Sequence, residues 1–450
     1  MATSEALTKY YDCLKDSFNK IQLKDNKTAL INAALRPKIR EEFAKSKDLL
    51  ISYLNYIQVF SLIYSDKFTN ICINIFCPLF KENKLSSSDD ESCGKNVASL
   101  IHNTVREIVK AKPELVDEYV HCLIKFFPNI YSDGHDTFIN YLENSLETCS
   151  YIRGQPLTKL LAKILDRINP PPENIGTDEE KATAIKKSIQ DSYKLIYERL
   201  DKLEKRQLDN VSAAILAAFT REFLISDNED SLNYLVLYLC STDEKLLDLF
   251  INLLWATFTN TDRPFEERRA SVCFASSFMS RATFVELSKV HNYLETATIW
   301  CEEFLKEHGN EVVENRDSFK ETNELFYALI HSILYIITQR YREMYEVDSI
   351  ERLKKLDLDR FLESSLDPLE VCDIETVQRF REVATLYGIS SLKPIDEVEH
   401  ARKRRKSAND FAKRPLWKAP FRETNHSLPT HVRTLYRNYY DHRNFTIDRE

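Results

Sequence analysis

The chain has 450 residues, 43% of them hydrophobic and 29% charged, which is ordinary for a globular protein with two or three domains' worth of core. Its 6 glycines are far fewer than average and argue against turn-rich classes such as β-sandwiches and dinucleotide-binding α/β folds. The net charge of −8 is unevenly spread, because residues 401–450 carry 13 Lys/Arg and 5 Asp/Glu (+8), whereas the first 400 residues carry 49 and 65 (−16).

Membrane and secreted classes are also disfavoured. The longest apolar run, "YLNYIQVFSLIY", is too short to span a bilayer and contains Asn55 and Gln58. The amino terminus is charged and amphipathic, unlike a secretory signal. The 10 cysteines are scattered without a CxxC pair, which indicates small buried residues in a reducing compartment. We therefore expect no membrane partner.

Residues 1–168 contain apolar positions at helical spacing, interrupted by short polar breaks such as "FPNIYSDG". A serine-rich acidic loop, "SSSDDESCG" at 86–94, interrupts them. The pattern predicts helices that occur in pairs. The expected ranges are 46–63 with 66–82, 96–111 with 114–126, and 136–150 with 156–168.

A proline-rich acidic stretch, "INPPPENIGTDEEKATA", follows the first helices, and we expect a linker at 169–184. Helical spacing resumes over 185–392, with a further predicted pair at 231–240 and 244–259. Two helices every 40 residues or so, without a strict repeat, are typical of an α-solenoid of stacked antiparallel helix pairs, similar to HEAT repeats. The predicted fold class is therefore all-α.

The segment "ASVCFASSFMSRATFV" at 270–285 predicts a helix over 268–282 that is apolar nearly all round, with a face of small residues. Such a helix lies inside a stack, where its thin face lets a neighbour approach closely. Ser277 and Phe278 are interpreted as packing residues. Arg281 is expected to bond to the last carbonyls of its helix or to pair with a carboxylate; a direct contact with a partner is the alternative.

Residues 393–450 form a basic tail in which aromatic residues are mixed with arginines and lysines. Its cluster "RKRRK" comprises Arg402, Lys403, Arg404, Arg405 and Lys406 and reads as a nuclear import signal. A solvated charge run or a nucleic-acid contact is the alternative, because aromatic and arginine side chains together can stack on bases.

Catalytic motifs are missing from the sequence. It contains no GxxxxGK[ST], GxGxxG, GxSxG, HExxH or DxDxDG pattern. Cys72 and Cys77 lie five residues apart on an apolar predicted helix and are expected to point to different faces, which disfavours a zinc site with Cys93 and His102. We expect no enzyme activity, no cofactor and no metal.

Several short segments, each only weakly specific by itself, occur in an order that resembles the RNA polymerase I-specific transcription initiation factors, the TIF-IA family. The resemblance spans 113–168 and 232–386. The segments are "LIKFFPN" (Leu123–Asn129), "NYLENSLE" (Asn140–Glu147), "LTKLLAKILDRI", "LNYLVLYLC" (Leu232–Cys240), "SSFMSRATF", "FYALIHSILYIITQRY" and "LDPLEVC" (Leu366–Cys372).

The resemblance implies a HEAT-like fold and a bridging role in the nucleus and nucleolus. The expected partners are subunits of RNA polymerase I and the core initiation factors bound at ribosomal RNA gene promoters. The alternative is another HEAT-type adaptor or scaffold, in nuclear transport or translation. Both a monomer and a dimer remain open.

The resemblance also implies phosphorylation and a polymerase-binding face with serines in the first half of the chain. The candidates near that face are Ser132, Ser145 and Ser150. Ser86, Ser87 and Ser88 are separate candidates, because their acidic loop is a typical target of acid-directed kinases; a plain solvated loop is the alternative.

Overall fold

The computed structural model describes residues 4–17, 47–81, 91–170, 179–225, 230–308, 323–392 and 430–436. All regular secondary structure in these ranges is helical, and one isolated bridge pairs Ala282 with Tyr436. The all-α class predicted from the sequence is therefore confirmed, and the predicted helix pairs occur close to their expected ranges. Packing divides the chain into two compact units, 1–218 and 219–450.

The first unit contains ten of the described helices. A 3-10 turn at Ser65–Lys67 precedes the third α-helix, and a π turn at Cys72–Phe76 follows it. The α-helices are α1 Ser4–Ser17, α2 Lys47–Ile63, α3 Phe68–Ile71, α4 Cys77–Lys81, α5 Glu91–Ala111, α6 Leu115–Lys125, α7 His135–Cys149, α8 Gln155–Ile168, α9 Glu179–Leu200 and α10 Lys205–Glu222, which crosses the unit boundary.

Helix α8 shows how the sequence builds this unit. Gly154 takes a positive φ of 67° at its start, and Pro156 occupies its first turn, where a missing N–H costs nothing. Leu157, Leu160 and Ile164 recur at helical spacing and are buried. This apolar face packs on α6 and α7, while α2 packs on α1 and α5. Helix α8 thus buries one face against its neighbours.

A π turn lies between Cys72 and Cys77. In a regular α-helix, Cys72 and Cys77 would point in different directions. In the structure, the Cys77 N–H donates to the Cys72 carbonyl across the π turn, and both side chains are buried. Burial raises the pKa of the Cys77 thiol to about 12, so this thiol stays protonated at neutral pH.

The expected linker at 169–184 is partly helical, because α9 begins at Glu179. Residues 171–178 lie outside the described residues. Helix α9 buries Ile185, Ile189 and Ile196 and packs on α7 of the first unit. The two compact units divide after Ala218, within α10.

The second unit contains the remaining described helices, with 3-10 turns at Tyr341–Glu343 and Pro368–Glu370. They are α11 Asp230–Thr242, α12 Glu244–Thr259, α13 Phe265–Arg281, α14 Leu287–His308, α15 Glu324–Arg340, α16 Val347–Lys355, α17 Asp359–Leu362, α18 Ile374–Tyr387 and α19 Thr430–Arg433. Asp243 and Asp373 cap α12 and α18 by accepting hydrogen bonds from backbone N–H groups.

Two helices form the core of the second unit. Residues 271–281 of α13 are buried without a break, as are residues 325–340 of α15. The two helices pack on each other, and α13 also packs on α12 and α14. The interpretation of α13 as an inner helix is therefore correct. At the end of α15, buried Arg340 donates to the Val285 carbonyl at 2.8 Å and pairs with Glu343 at 2.8 Å.

Candidate binding surfaces

Helix α7 and the turns at its two ends hold the three candidate serines of the first unit. Ser132 is exposed in the turn before α7. Gly134, the residue that precedes the first residue of α7, has a positive φ of 80°. Ser150 follows the last turn of α7 and is half-buried. A helix of 15 residues separates them by about 22 Å, so they do not form one cluster.

Ser145 occupies a different environment. Its side chain is fully buried within α7, and its hydroxyl donates to the Tyr141 carbonyl at 2.8 Å. A kinase cannot reach this hydroxyl while the unit is folded. The expectation of a modification site at Ser145 is therefore wrong; Ser145 lies on the buried face of the helix.

Ser150 lies next to a network of charges that the sequence did not predict. Its hydroxyl donates to Glu147 Oε1 at 3.4 Å. Glu147 also pairs with Arg106 of α5 at 3.3 Å and with Arg199 of α9. Arg106, Glu147 and Arg199 line a cavity of about 290 Å³ between α5, α7 and α9. A phosphate on Ser150 would enter this network.

Buried His102 lies at the back of the same cavity. Its Nε2 donates to Asn144 Oδ1 at 3.1 Å, and its Nδ1 accepts from the Tyr151 hydroxyl at 3.0 Å. Burial, together with the cations Arg106 and Arg199, lowers the pKa of His102 to about 4. The imidazole is neutral at physiological pH, with both nitrogens in use, and is therefore a packing group.

In the second unit, the small face of α13 receives a piece of the basic tail. Ser277 exchanges a hydrogen bond with the Tyr436 hydroxyl, and the Thr283 N–H donates to the Leu435 carbonyl at 2.9 Å. Phe278 is fully buried and packs on Phe250, with ring centres 5.1 Å apart. The side chains of Ser277 and Phe278 are thus both buried within the second unit.

Arg281 has a partner that its sequence context did not indicate. Its guanidinium lies 4.2 Å from the centre of the Tyr436 ring, in cation–π geometry. The ring comes from a residue 155 positions later in the sequence. No local pattern around "SRATF" signals a partner so far along the chain.

The remaining candidate residues lie outside the described ranges. Ser86, Ser87 and Ser88 lie outside the described residues, as do Arg402, Lys403, Arg404, Arg405 and Lys406. Within the described ranges, no three His, Cys, Asp or Glu side chains are grouped so as to hold a metal ion. None of the helices in those ranges combines the length and the apolar composition needed to cross a membrane.

Comparison with known proteins gives a match over nearly the whole chain. The model of the family described as RNA polymerase I specific transcription initiation factor RRN3 matches residues 1–169 and 176–431. The chain is similar to the crystal structure of RNA polymerase I transcription initiation factor Rrn3, with a TM-score of 0.63 and 16% identity. That match covers 90% of this chain and 86% of the other and shows a shared fold.

Curated relatives match over shorter segments. RNA polymerase I-specific transcription initiation factor rrn3 of Schizosaccharomyces pombe is 26% identical over 34% of this chain and 26% of its own length. The Mus musculus factor RRN3 is 20% identical over 42% of this chain and 29% of its own. The Caenorhabditis elegans factor tif-1A is 21% identical over 37% and 26%. The matched segment thus spans between a quarter and a third of each relative.

Proposed function

Because this chain belongs to the family of RNA polymerase I specific transcription initiation factor RRN3, we propose that it acts in transcription initiation by RNA polymerase I. The observation that carries the proposal is the family match, which extends through both compact units. The proteins of this family are transcription initiation factors rather than enzymes. The chain would accordingly act by binding, in the nucleus and nucleolus.

The proposed mechanism is bridging. One surface of the chain holds RNA polymerase I, and another holds the core initiation factors at the promoter of ribosomal RNA genes. Stacked helix pairs suit this role, because a preordered backbone loses little conformational entropy when it binds. The acidic body does not favour docking by net charge alone, so local complementarity is the proposed basis of recognition.

We place the polymerase-binding surface around α7, with phosphorylation as its switch. Exposed Ser132 and half-buried Ser150 support this placement. A phosphate on Ser150 would add about −1.5 to −2 charges beside Glu147 and would compete for Arg106 and Arg199. The surface would then change its charge and its side-chain arrangement together. Ser86, Ser87 and Ser88 are kept as a second proposed switch.

The basic cluster Arg402–Lys406 is proposed to direct nuclear import. Changing its five residues to alanine is expected to leave the chain in the cytoplasm of cells, with an unchanged melting temperature of the purified protein. If that variant stays nuclear, the cluster is not the import signal. A salt-dependent gel-shift assay of the same variant and the full wild-type chain tests the nucleic-acid alternative.

The central test is affinity purification of the chain from nuclear extract, with identification of the proteins retained. We expect the large subunits of RNA polymerase I. Capture of transport or translation factors without the polymerase would contradict the proposal and favour the adaptor alternative.

The switch is tested with Ser132→Asp and Ser150→Asp in the same capture assay, with Ser288→Asp as a control. Ser288 is exposed in the first turn of α14, in the other unit. We expect at least one of the two first-unit variants to lose capture by roughly 5- to 150-fold and the control to lose none. Equal capture by all variants would place the switch elsewhere.

A further inference from the structure

A groove of about 480 Å³ lies beside the Glu147 network, between α5 and the turns that lead into α6 and α8. Its floor is aliphatic: Val109 and Ile152 are buried, Val116 is half-buried, and Pro113 and Pro156 form its sides. A volume of this size can accommodate one large apolar side chain.

The rim of the groove is basic. Lys110 on α5 and Arg153 before α8 line it and are exposed. Within the part of the chain that the structure describes, neither has a carboxylate within ion-pairing distance. Asp117 is the one acidic group on the lining, and its carboxylate pairs with Lys159 at 3.6 Å. Two uncompensated cations thus flank an apolar floor.

This local charge opposes that of the rest of the chain, because the first 400 residues carry −16. A positively charged groove attracts a short acidic ligand, whereas the acidic remainder of the chain repels that ligand. Arg106, the third cation of the lining, is held by Glu147 and lies 4.9 Å over the Tyr151 ring. Its charge is therefore already paired, unlike those of Lys110 and Arg153 among the described residues.

We propose that this groove binds an acidic protein segment, one that inserts a single leucine or aromatic side chain between carboxylates. The side chain covers Val109, Val116 and Ile152, and the flanking carboxylates pair with Lys110 and Arg153. The inference goes beyond the proposed function, because it concerns the chemistry of the ligand and holds for any protein that carries the segment.

A nucleic acid fits the groove less well. Single strands are held by aromatic faces that stack on bases. The one ring of the lining, Tyr151, is half-buried and already covered by Arg106. An acidic peptide needs only the two free cations and the aliphatic floor.

The test measures binding of a fluorescein-labelled peptide by the full chain, using fluorescence anisotropy. The probe has a central Leu-Phe pair flanked by Asp and Glu. Two comparison peptides replace Leu-Phe by Ala-Ala, or Asp and Glu by Asn and Gln; an oligo-dT strand is the polyanion without an apolar anchor. The groove predicts saturable binding of the first probe, at least about tenfold tighter than that of the other three.

The site is located with Lys110→Glu, Arg153→Glu and Val116→Asp, each expected to weaken peptide binding by about tenfold or more. Lys187→Glu is the matched control, because Lys187 is exposed on α9 of the same unit and away from the groove. Melting temperatures check that the variants fold; among the described residues, Lys110 and Arg153 form no ion pair that the substitutions would remove.

Equal binding of the acidic and neutral peptides, equal or tighter binding of oligo-dT, or unchanged binding by the groove variants would each overturn the proposal. Polymerase capture is scored separately with the same variants. A groove that binds the peptide in a chain that captures no polymerase would leave the inference standing and contradict the proposed function instead.

Discussion

Helices α7 and α13 both contain serines, yet the two helices bury them in different ways. In α13, Ser276, Ser277 and Ser280 belong to an unbroken run of eleven buried residues. In α7, one face is buried and contains Ser145, while Ser150 at its end is half-buried. A helical serine can be buried without loss, because its hydroxyl donates to the carbonyl four residues earlier, as Ser145 and Ser280 do. Residue type alone therefore does not distinguish a packing serine from a surface serine.

The largest expected effect comes from the core of α13. Phe278→Ala removes a fully buried ring and should destabilise the second unit by about 3–5 kcal/mol, measured by chemical denaturation. Thr137→Ala on α7, where the side chain is half-exposed, should change stability by about 0.5 kcal/mol or less. If the two variants were equally mild, α13 would not be the inner helix of its unit.

The next largest effect on stability comes from comparing Ser145, which lies within α7, with Ser150, which follows its last residue. Ser145→Asp places a carboxylate in a fully buried position and should destabilise the first unit by about 3–5 kcal/mol. Ser150→Asp should leave the melting temperature nearly unchanged. If Ser145→Asp unfolded in the same cooperative transition as wild type, this part of α7 would open readily to solvent.

Each unit contains a buried histidine, which allows a comparison through pH. Burial lowers the pKa of His102 in the first unit and of His331 in the second to about 4. The unfolded chain binds a proton on each near pH 6.5, whereas the folded chain does not. Each histidine's contribution to the free energy of unfolding is therefore fully present above pH 6.5. It falls by about 1–3 kcal/mol as the pH decreases towards 4.

The histidine prediction is checked by urea denaturation at pH 7 and pH 5. His102→Gln should make the first unit less stable at pH 7 but flatten its loss at pH 5. His331→Gln should reduce the loss in the second unit without removing it, because burial also lowers the pKa of His291 there. A loss of the same size in all three proteins would assign the pH dependence to other groups.

The smallest effects concern the contact between α13 and the tail. Ser277→Leu overpacks the site of the Tyr436 hydroxyl and should cost about 1–3 kcal/mol. Tyr436→Phe removes only the hydroxyl and should cost about 0.5–1.5 kcal/mol, while keeping the ring under Arg281. If Ser277→Leu had the melting temperature of wild type, the tail would not be seated on α13, and this face would be open to a partner.

The sequence alone determined the helices and their class. Apolar residues at spacings of three and four are a local property, so the predicted range 244–259 agrees with α12 as Glu244–Thr259, and 156–168 with α8 as Gln155–Ile168. The all-round apolar character of α13 likewise indicated an inner helix. The ordered segments also indicated the family that the comparisons show.

Only the tertiary structure decided which groups meet. Arg106, Glu147 and Arg199 come from three helices, and Tyr436 reaches Arg281 from the far end of the sequence. The burial of Ser145, the π turn at Cys72 and the exposed pair Lys110 and Arg153 beside the groove also depend on the helices that pack around them. The physical reason is that helical periodicity encodes which face of a helix is apolar, whereas the partner that covers the face is fixed by contacts between residues distant in sequence.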